Sequence, residues 1–191
     1  MPLDLKHIFV IFYIYFLAIY MDDIRNIITN VENLKTDKKF VEAISVLQKW
    51  LVKYSDDYRL YEELADIYVY QGDSKNAFKA LDFALTLNPK SATGNYLKGF
   101  ILLGEDKVLE AIKYLEISNS LYGNNAEVLR NLWWAYTMSG KHERGITILK
   151  RALNLSPEDE LITEDLAMAL IGHGDITWGN NLLKKIGKYE G

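Results

Sequence analysis

Apolar side chains recur along most of the chain at intervals of three and four residues, which is the spacing of one face of an α-helix. Around residues 60–73, for example, Leu60, Leu64, Ile67 and Tyr68 fall on one helical face. No window keeps the strict alternation of a half-buried strand, and only three prolines interrupt the chain. The pattern therefore predicts an all-α fold.

The predicted helices recur with a fixed period of 34 residues. Pro89 and Pro157 are separated by two such periods, and Gly123, another helix-ending residue, lies midway between them. The same shift aligns AFKALDFALTLNP at 77–89 with AIKYLEISNSLYG at 111–123 and GITILKRALNLSP at 145–157. Each of these stretches follows another helical stretch that ends in a polar turn, so the chain is predicted to consist of helix pairs.

These segments resemble tetratricopeptide repeats, a family whose unit is a 34-residue helix-turn-helix pair. The second unit carries the resemblance best, because its large, small and proline positions follow the family pattern. The matching residues are Tyr61, Leu64, Ala65, Tyr68, Ala77, Leu81, Ala84 and Pro89. The resemblance implies a right-handed α-solenoid of about five repeats, in which neighbouring units bury each other's apolar faces.

Extending the period outward divides residues 24–191 into a repeat domain, preceded by a separate apolar segment at 1–23. The predicted units are 24–57, 58–91, 92–125, 126–159 and 160–191. The first and last units fit less well, since Trp50 and Gly179 occupy positions where the family has other residue types. Degenerate ends are expected where a terminal unit faces water.

Two adjacent tryptophans, Trp133 and Trp134, raise a packing problem, because consecutive side chains on a helix point about 100° apart. One period earlier Trp133 aligns with Gly99, where the two helices of a unit meet. The facing helix carries Gly145 where the two preceding units carry alanine. We therefore predict that Trp133 packs in the core against Gly145, and that Trp134 faces away from it.

The resemblance places the first helix of each unit on a concave wall, where such proteins usually hold a partner. The residues predicted to line this groove are Glu62, Asp66, Tyr96, Phe100, Leu103, Arg130, Trp134 and Met168. Exposed aromatic and methionine side chains beside arginine are typical of protein-binding patches. Arg130 is expected to act as a polar anchor, and the two carboxylates are expected to steer basic residues. Alternatively, the aromatic side chains of this set only pack on one another between units.

The beginning of the chain is an apolar stretch from Ile8 to Met21 that ends at Asp22 and resembles an export or anchor segment. At about 1.5 Å per residue it is shorter than a roughly 30 Å hydrocarbon core, and Ala18-Ile19-Tyr20 is a poor cleavage site. Three interpretations stay open. Residues 3–21 form an uncleaved membrane anchor, or a cytoplasmic protein begins at Met21, or an apolar helix caps the first repeat.

Charge and residue chemistry narrow the function. The chain has 26 acidic and 22 basic residues and no long basic run, so nucleic-acid binding is not expected. It has no cysteine, and His7, His142 and His173 lack metal-ligand spacing or a nucleophile motif, so no catalytic site, metal or cofactor is expected. Two functions stay open: an adaptor or scaffold that binds a peptide or helix of a partner protein in its groove, or a structural or assembly subunit of a membrane-bound complex that uses its convex face or ends.

Overall fold

The computed structural model describes residues 5–189, with side chains from Phe9 onward, and within this range it consists of α-helices without strands. The helices are α1 (Leu5–Thr36), α2 (Phe40–Leu51), α3 (Tyr58–Tyr70), α4 (Ser74–Leu87), α5 (Ala92–Gly104), α6 (Val108–Leu121), α7 (Ala126–Met138), α8 (His142–Leu155), α9 (Glu160–Gly172) and α10 (Ile176–Lys185). The predicted all-α fold is confirmed.

The helices pack as sequential pairs within two compact units. The first unit ends at Leu87 and contains the pairs α1 with α2 and α3 with α4. The second unit begins at Asn88 and contains the pairs α5 with α6, α7 with α8, and α9 with α10. Within each unit successive pairs also touch, because the second helix of one pair packs on the first helix of the next. The predicted five helix pairs are therefore confirmed.

The first helices of four pairs begin at regular intervals because their capping residues recur. The N-cap side chains of Asp57, Ser91, Asn125 and Asp159 accept backbone N–H donors from the first turns of α3, α5, α7 and α9. A side-chain acceptor at this position satisfies a donor that the helix itself leaves without a partner. The four caps are spaced by 34 residues, so the positions at which these helices begin follow the period of the repeat.

The turns inside the pairs repeat in the same way. The backbone angle φ is 60° at Lys38, 73° at Gly72, 61° at Asp106, 76° at Gly140 and 95° at Gly174. Glycine adopts this left-handed conformation freely, whereas lysine and aspartate meet a steric penalty there. The spacing of these five turns is again 34 residues, which extends the repeat to the first and last pairs, where the sequence pattern is weakest.

The apolar N-terminal stretch and the first repeat helix form one continuous helix, α1. Its C-terminal half packs in the core of the first unit through Ile24, Ile27 and Val31. Upstream of Tyr20 the described side chains, from residue 9 onward, are exposed, and some of them, including Tyr13 and Phe16, border a cavity together with Lys53 and Tyr54. Among the described residues, no helix has both the length and the apolarity that crossing a membrane requires.

Glycines bring the two helices of each pair together in the second unit. A Cβ atom on Gly99 would lie 2.7 Å from Leu115 Cγ, and one on Gly179 would lie 2.5 Å from Ile171 Cγ1. Both distances are too short for carbon atoms, so a larger residue at either position would push the helices apart. Gly179 therefore has a packing reason to depart from the family pattern.

Candidate functional site

The predicted groove residues belong to both units, and each unit has its own geometry. Glu62 and Asp66 lie on α3 in the first unit. In the second unit the remaining residues lie on the first helices of the three pairs: Tyr96, Phe100 and Leu103 on α5, Arg130 and Trp134 on α7, and Met168 on α9.

The two predicted groove carboxylates of the first unit interact within the chain, and their role in steering a partner stays a prediction. Glu62 is only 6% exposed, which takes its side chain away from the accessible surface. Lys35 of α1 reaches α3, where its Nζ atom lies 2.5 Å from Asp66 Oδ2 and 3.1 Å from Glu63 Oε2. Glu32 Oε1 lies 2.8 Å from the same Nζ atom. The acidic residues around Asp66 thus form an ion-pair network that holds α1 on α3.

Burial and pairing shift the pKa values in this network. Burial lowers the pKa of the Lys35 ammonium, but hydrogen bonds to Asp66 and Glu32 outweigh it and raise the pKa above its usual range. Burial raises the pKa of Glu63 to about 7, although the nearby Lys35 ammonium pulls it down. Glu63 therefore titrates near neutral pH in the folded protein.

In the second unit, Trp134 borders two surface cavities. The polar cavity has a volume of about 340 Å³ and is lined by Phe100, Glu127, Arg130, Asn131, Trp133, Trp134 and Asp165. The apolar cavity has a volume of about 420 Å³ and is lined by Trp133, Trp134, Thr137, His142, Ile146, Met168, Ala169, Gly172 and His173. Trp134 itself is 50% exposed, so its indole is available to a ligand in either cavity.

Hydrogen bonds fix the polar side chains of the polar cavity. The Tyr96 hydroxyl donates to Glu127 Oε1 at 2.7 Å and accepts from Asn131 Nδ2 at 3.3 Å. Arg130 Nε donates to Asp165 Oδ2 at 2.5 Å, across two successive helix pairs. The Nε atom of Arg130 is thus paired within the chain, and the role of Arg130 as a polar anchor for a partner stays a prediction.

The apolar members of the predicted groove take different positions. Phe100 is 40% exposed and its ring centroid lies 6.2 Å from that of Tyr96. Met168 is 59% exposed on the wall of the apolar cavity. Leu103 is half-buried and packs against the core around Leu115. The structure thus brings Phe100, Arg130 and Trp134 together in one cavity and joins Met168 to Trp134 in the other.

Trp133 and Trp134 take different positions, as predicted: Trp133 packs on the core, and Trp134 is exposed. Trp133 packs against the apolar core around Leu166 and over Gly145, with its ring centroid 5.8 Å from that of Trp134. Its indole Nε1 atom is buried, and it has no acceptor among the described residues. Trp133 thus packs on the core over Gly145 as predicted, and the half-buried remainder of its side chain lines both cavities.

Two carboxylates of the polar cavity, Glu127 and Asp165, were missed by sequence reasoning. Glu127, Asn131 and Trp134 follow each other at spacings of four and three residues, so one face of α7 carries all three. That spacing is the signal that could have identified Glu127. Asp165 lies one period after Asn131, but its ion pair with Arg130 needs the packing of two helix pairs to become visible.

Comparisons with known proteins agree with this geometry. Residues 58–91 match the tetratricopeptide repeat family, and no curated protein matches the chain. Residues 41 to the end of MamA from Desulfovibrio magneticus RS-1 superpose with a TM-score of 0.74 at 21% identity, over 86% of this chain and 93% of that one. PilF from Pseudomonas aeruginosa superposes with a TM-score of 0.79 at 16% identity, over 87% and 76% of the two chains.

A third solved structure, YrrB, is described as a tetratricopeptide repeat protein with an unusual peptide-binding site. It has a TM-score of 0.66 at 16% identity, over 81% of this chain and 80% of its own. At such identities the similarity concerns the fold, and the recurring caps and turns give the same result from the chain itself. Residues 58–91 are thus a tetratricopeptide repeat, and the chain has the helical-repeat fold of the tetratricopeptide repeat proteins.

Proposed function

We propose that this chain is a non-catalytic adaptor that binds a segment of a partner protein on the second unit, along the side formed by α5, α7 and α9. The observation that carries the proposal is the exposed Trp134 between two cavities, with Phe100 in one and Met168 in the other. Tryptophan dominates the energetic centres of protein interfaces, because it buries a large rigid surface. An exposed tryptophan beside two concave sites is therefore suited to partner binding.

The alternative, in which these side chains serve only to pack on one another, accounts for the geometry less well. Phe100, Trp134 and Met168 keep between 40% and 59% of their surface exposed after all contacts within the chain are made. Packing needs no such exposure, and the core of this region is already supplied by Trp133 and its buried neighbours. The remaining apolar area supports a role in binding. The peptide-binding site named for YrrB supports the same class of function.

The test compares Trp134→Ala with wild-type protein, using a partner that co-purifies with the intact chain. We expect Trp134→Ala to weaken binding of that partner by about 2 kcal/mol or more, which is roughly thirty-fold in Kd. Its thermal unfolding should stay close to that of the wild type, because the side chain is half exposed. Trp133→Ala is the matched control, since it should unfold at a much lower temperature.

Two results would contradict the proposal. One is normal partner binding by Trp134→Ala, which would place the interface elsewhere on the chain. The other is a loss of stability as large as that of Trp133→Ala, which would make Trp134 a packing residue.

We also propose that residues 3–21 associate with a membrane, which would suit an assembly subunit of a membrane-bound complex. The nine consecutive side chains from Phe9 to Leu17 are all hydrophobic or aromatic and all exposed, and nine successive residues cover every side of a helix. Such an apolar surface is unfavourable in water and favourable at the boundary of a lipid bilayer. The segment therefore supports lipid association more than it supports packing on one protein face.

A vesicle flotation experiment with the full chain tests this second proposal. Wild-type protein should float with phosphatidylcholine vesicles, and the double variant Phe12→Asp, Phe16→Asp should not. Val52→Asp, at a position exposed outside this segment, is the matched control and should float like the wild type. If the wild type stays in the protein-only fraction, the membrane proposal is wrong.

A further inference from the structure

We infer that the segment bound beside Trp134 carries a basic side chain next to an apolar one, with the basic group in the polar cavity and the apolar group in the apolar cavity. This inference rests on the proposed function, because it specifies what the same surface recognises.

The charge of the polar cavity favours a cation. Its walls hold two carboxylates, Glu127 and Asp165, and one guanidinium, Arg130. Arg130 Nε pairs with Asp165 Oδ2, and the second carboxylate has a neutral partner, the Tyr96 hydroxyl. A carboxylate can accept several hydrogen bonds, so both groups keep acceptor capacity after these contacts. The cavity therefore carries a net negative charge that a lysine or arginine of a partner would complement.

Aromatic rings in the same cavity add to this preference. Phe100 and Trp134 both line it, and the faces of aromatic rings attract cations. A guanidinium can stack on an indole and donate hydrogen bonds to a carboxylate at the same time, which favours arginine over lysine. An acidic side chain would instead meet two carboxylates in the same space, and the one guanidinium there, that of Arg130, already pairs with Asp165. The polar cavity thus discriminates by sign of charge.

The apolar cavity is lined mainly by hydrophobic side chains, and Thr137, His142 and His173 border it as well. Ile146, Met168 and Ala169 contribute aliphatic surface, and Trp134 closes it on the side of the polar cavity. Its volume, about 420 Å³, gives room for a branched or aromatic side chain. Since Trp133 and Trp134 belong to the walls of both cavities, two ligand side chains would be held on either side of one tryptophan pair. They must therefore come from residues close together in the sequence of the partner.

The probes for this inference are synthetic peptides of the same length in a glycine and serine background. Each carries one pair of residues, Arg with Leu, Gln with Leu, Glu with Leu, or Arg with Ser, separated by none to three residues. Binding of each labelled peptide to the full chain is measured by fluorescence anisotropy at low ionic strength. At its best spacing the Arg and Leu peptide should bind at least tenfold more tightly than the Gln and Leu peptide, and the Glu and Leu peptide should bind most weakly.

Variants assign the preferences to the two cavities. Glu127→Gln, and separately Glu127→Gln with Asp165→Asn, should reduce the preference for Arg over Gln to less than threefold. Glu158→Gln is the matched control, because Glu158 lies outside both cavities and its side chain is exposed. Met168→Ser should reduce the preference for Leu over Ser and leave the preference for Arg intact. Raising the salt concentration should weaken only the arginine-dependent part of binding.

The outcomes separate this inference from the proposed function. If all four peptides bind equally and Trp134→Ala abolishes their binding, the inference is wrong and the proposed function stands. Tighter binding of the Glu and Leu peptide would also overturn it. The inference is wrong for both cavities if no peptide binds to the wild type. It is also wrong if the peptides bind to Trp134→Ala as tightly as to the wild type. Normal binding of the co-purified partner to Trp134→Ala would then remove the proposed function as well.

Discussion

Trp133 packs over Gly145 so closely that a methyl group on the glycine would come within 2.9 Å of Trp133 Cδ1. We expect Gly145→Ala to lower the free energy of unfolding by about 1–3 kcal/mol through overpacking. Trp133→Ala should lower it by about 3–5 kcal/mol by leaving a cavity. In the Trp133→Ala background Gly145→Ala should cost much less, because the 2.9 Å contact with the indole is gone, Thr137 Oγ1 at 3.3 Å is then the nearest atom, and alanine favours the helix. A double-mutant cycle measured by urea unfolding tests this, and additive effects would contradict it.

The left-handed turns at Lys38 and Asp106 predict an unusual gain from glycine. The positive φ at Lys38 is unfavourable for a side chain with Cβ, and Lys38→Gly should stabilise the protein by about 0.5–1 kcal/mol. Asp106→Gly should give a smaller gain, since aspartate tolerates this conformation better. Gly140→Ala, at the equivalent turn, should destabilise by about 1 kcal/mol. Thermal unfolding of the three variants tests this prediction. A lower melting temperature for Lys38→Gly than for the wild type would contradict it.

The Asp57 carboxylate binds two further side chains besides capping α3, so its removal should cost more than the loss of a cap. This buried carboxylate accepts from the Tyr20 hydroxyl at 2.6 Å and lies 2.6 Å from Arg59 Nη2. Asp57→Ala should reduce the free energy of unfolding by about 3 kcal/mol, whereas Asp159→Ala, which removes a cap alone, should reduce it by about 1 kcal/mol. Equal losses in chemical unfolding would mean that the contacts with Tyr20 and Arg59 contribute nothing.

The same carboxylate should make the fold sensitive to acid. Burial opposes ionisation of Asp57, but hydrogen bonds from Arg59 and Tyr20 outweigh it and hold its pKa below the usual range. A lowered folded-state pKa stabilises the protein above the ordinary aspartate value, and this stabilisation is lost as pH falls through the folded value. Melting temperatures between pH 6 and pH 3 should therefore fall less in Asp57→Ala than in the wild type. If the melting temperatures of Asp57→Ala and the wild type fell equally over this pH range, Asp57 would not contribute to the acid sensitivity.

Glu63 should make the protein less stable as pH rises through neutrality. Since burial raises its folded-state pKa to about 7, the contribution of Glu63 to stability is full below the ordinary glutamate value and is lost as pH rises through about 7. Between pH 5 and pH 8 this contribution should decline by on the order of 2 kcal/mol. Glu63→Gln cannot titrate, so its stability should change less over this range. An equal decline in the variant would assign the pH dependence to other groups.

Much of the fold could be predicted from the sequence, because its signals are local. Helical spacing, the closing Pro89 and Pro157 and the glycine turns each act within a few residues, and their period identifies the helix pairs. The Trp133 contact with Gly145 was also predictable, since a large and a small residue replaced two small ones. The candidate site was less predictable from the sequence. That Lys35 binds Asp66, and that Asp165 binds Arg130, depends on side-chain directions between helix pairs, which the period alone does not give.

The three-residue turns within the helix pairs have a consequence for how the chain folds. They close loops that are short, so little chain entropy is lost when two helices of a pair first meet. Proteins whose contacts join residues near in sequence fold quickly, and repeat arrays can begin folding at more than one place. Each of the five described pairs therefore offers its own starting point, and a substitution that delays one pair leaves the others able to form first.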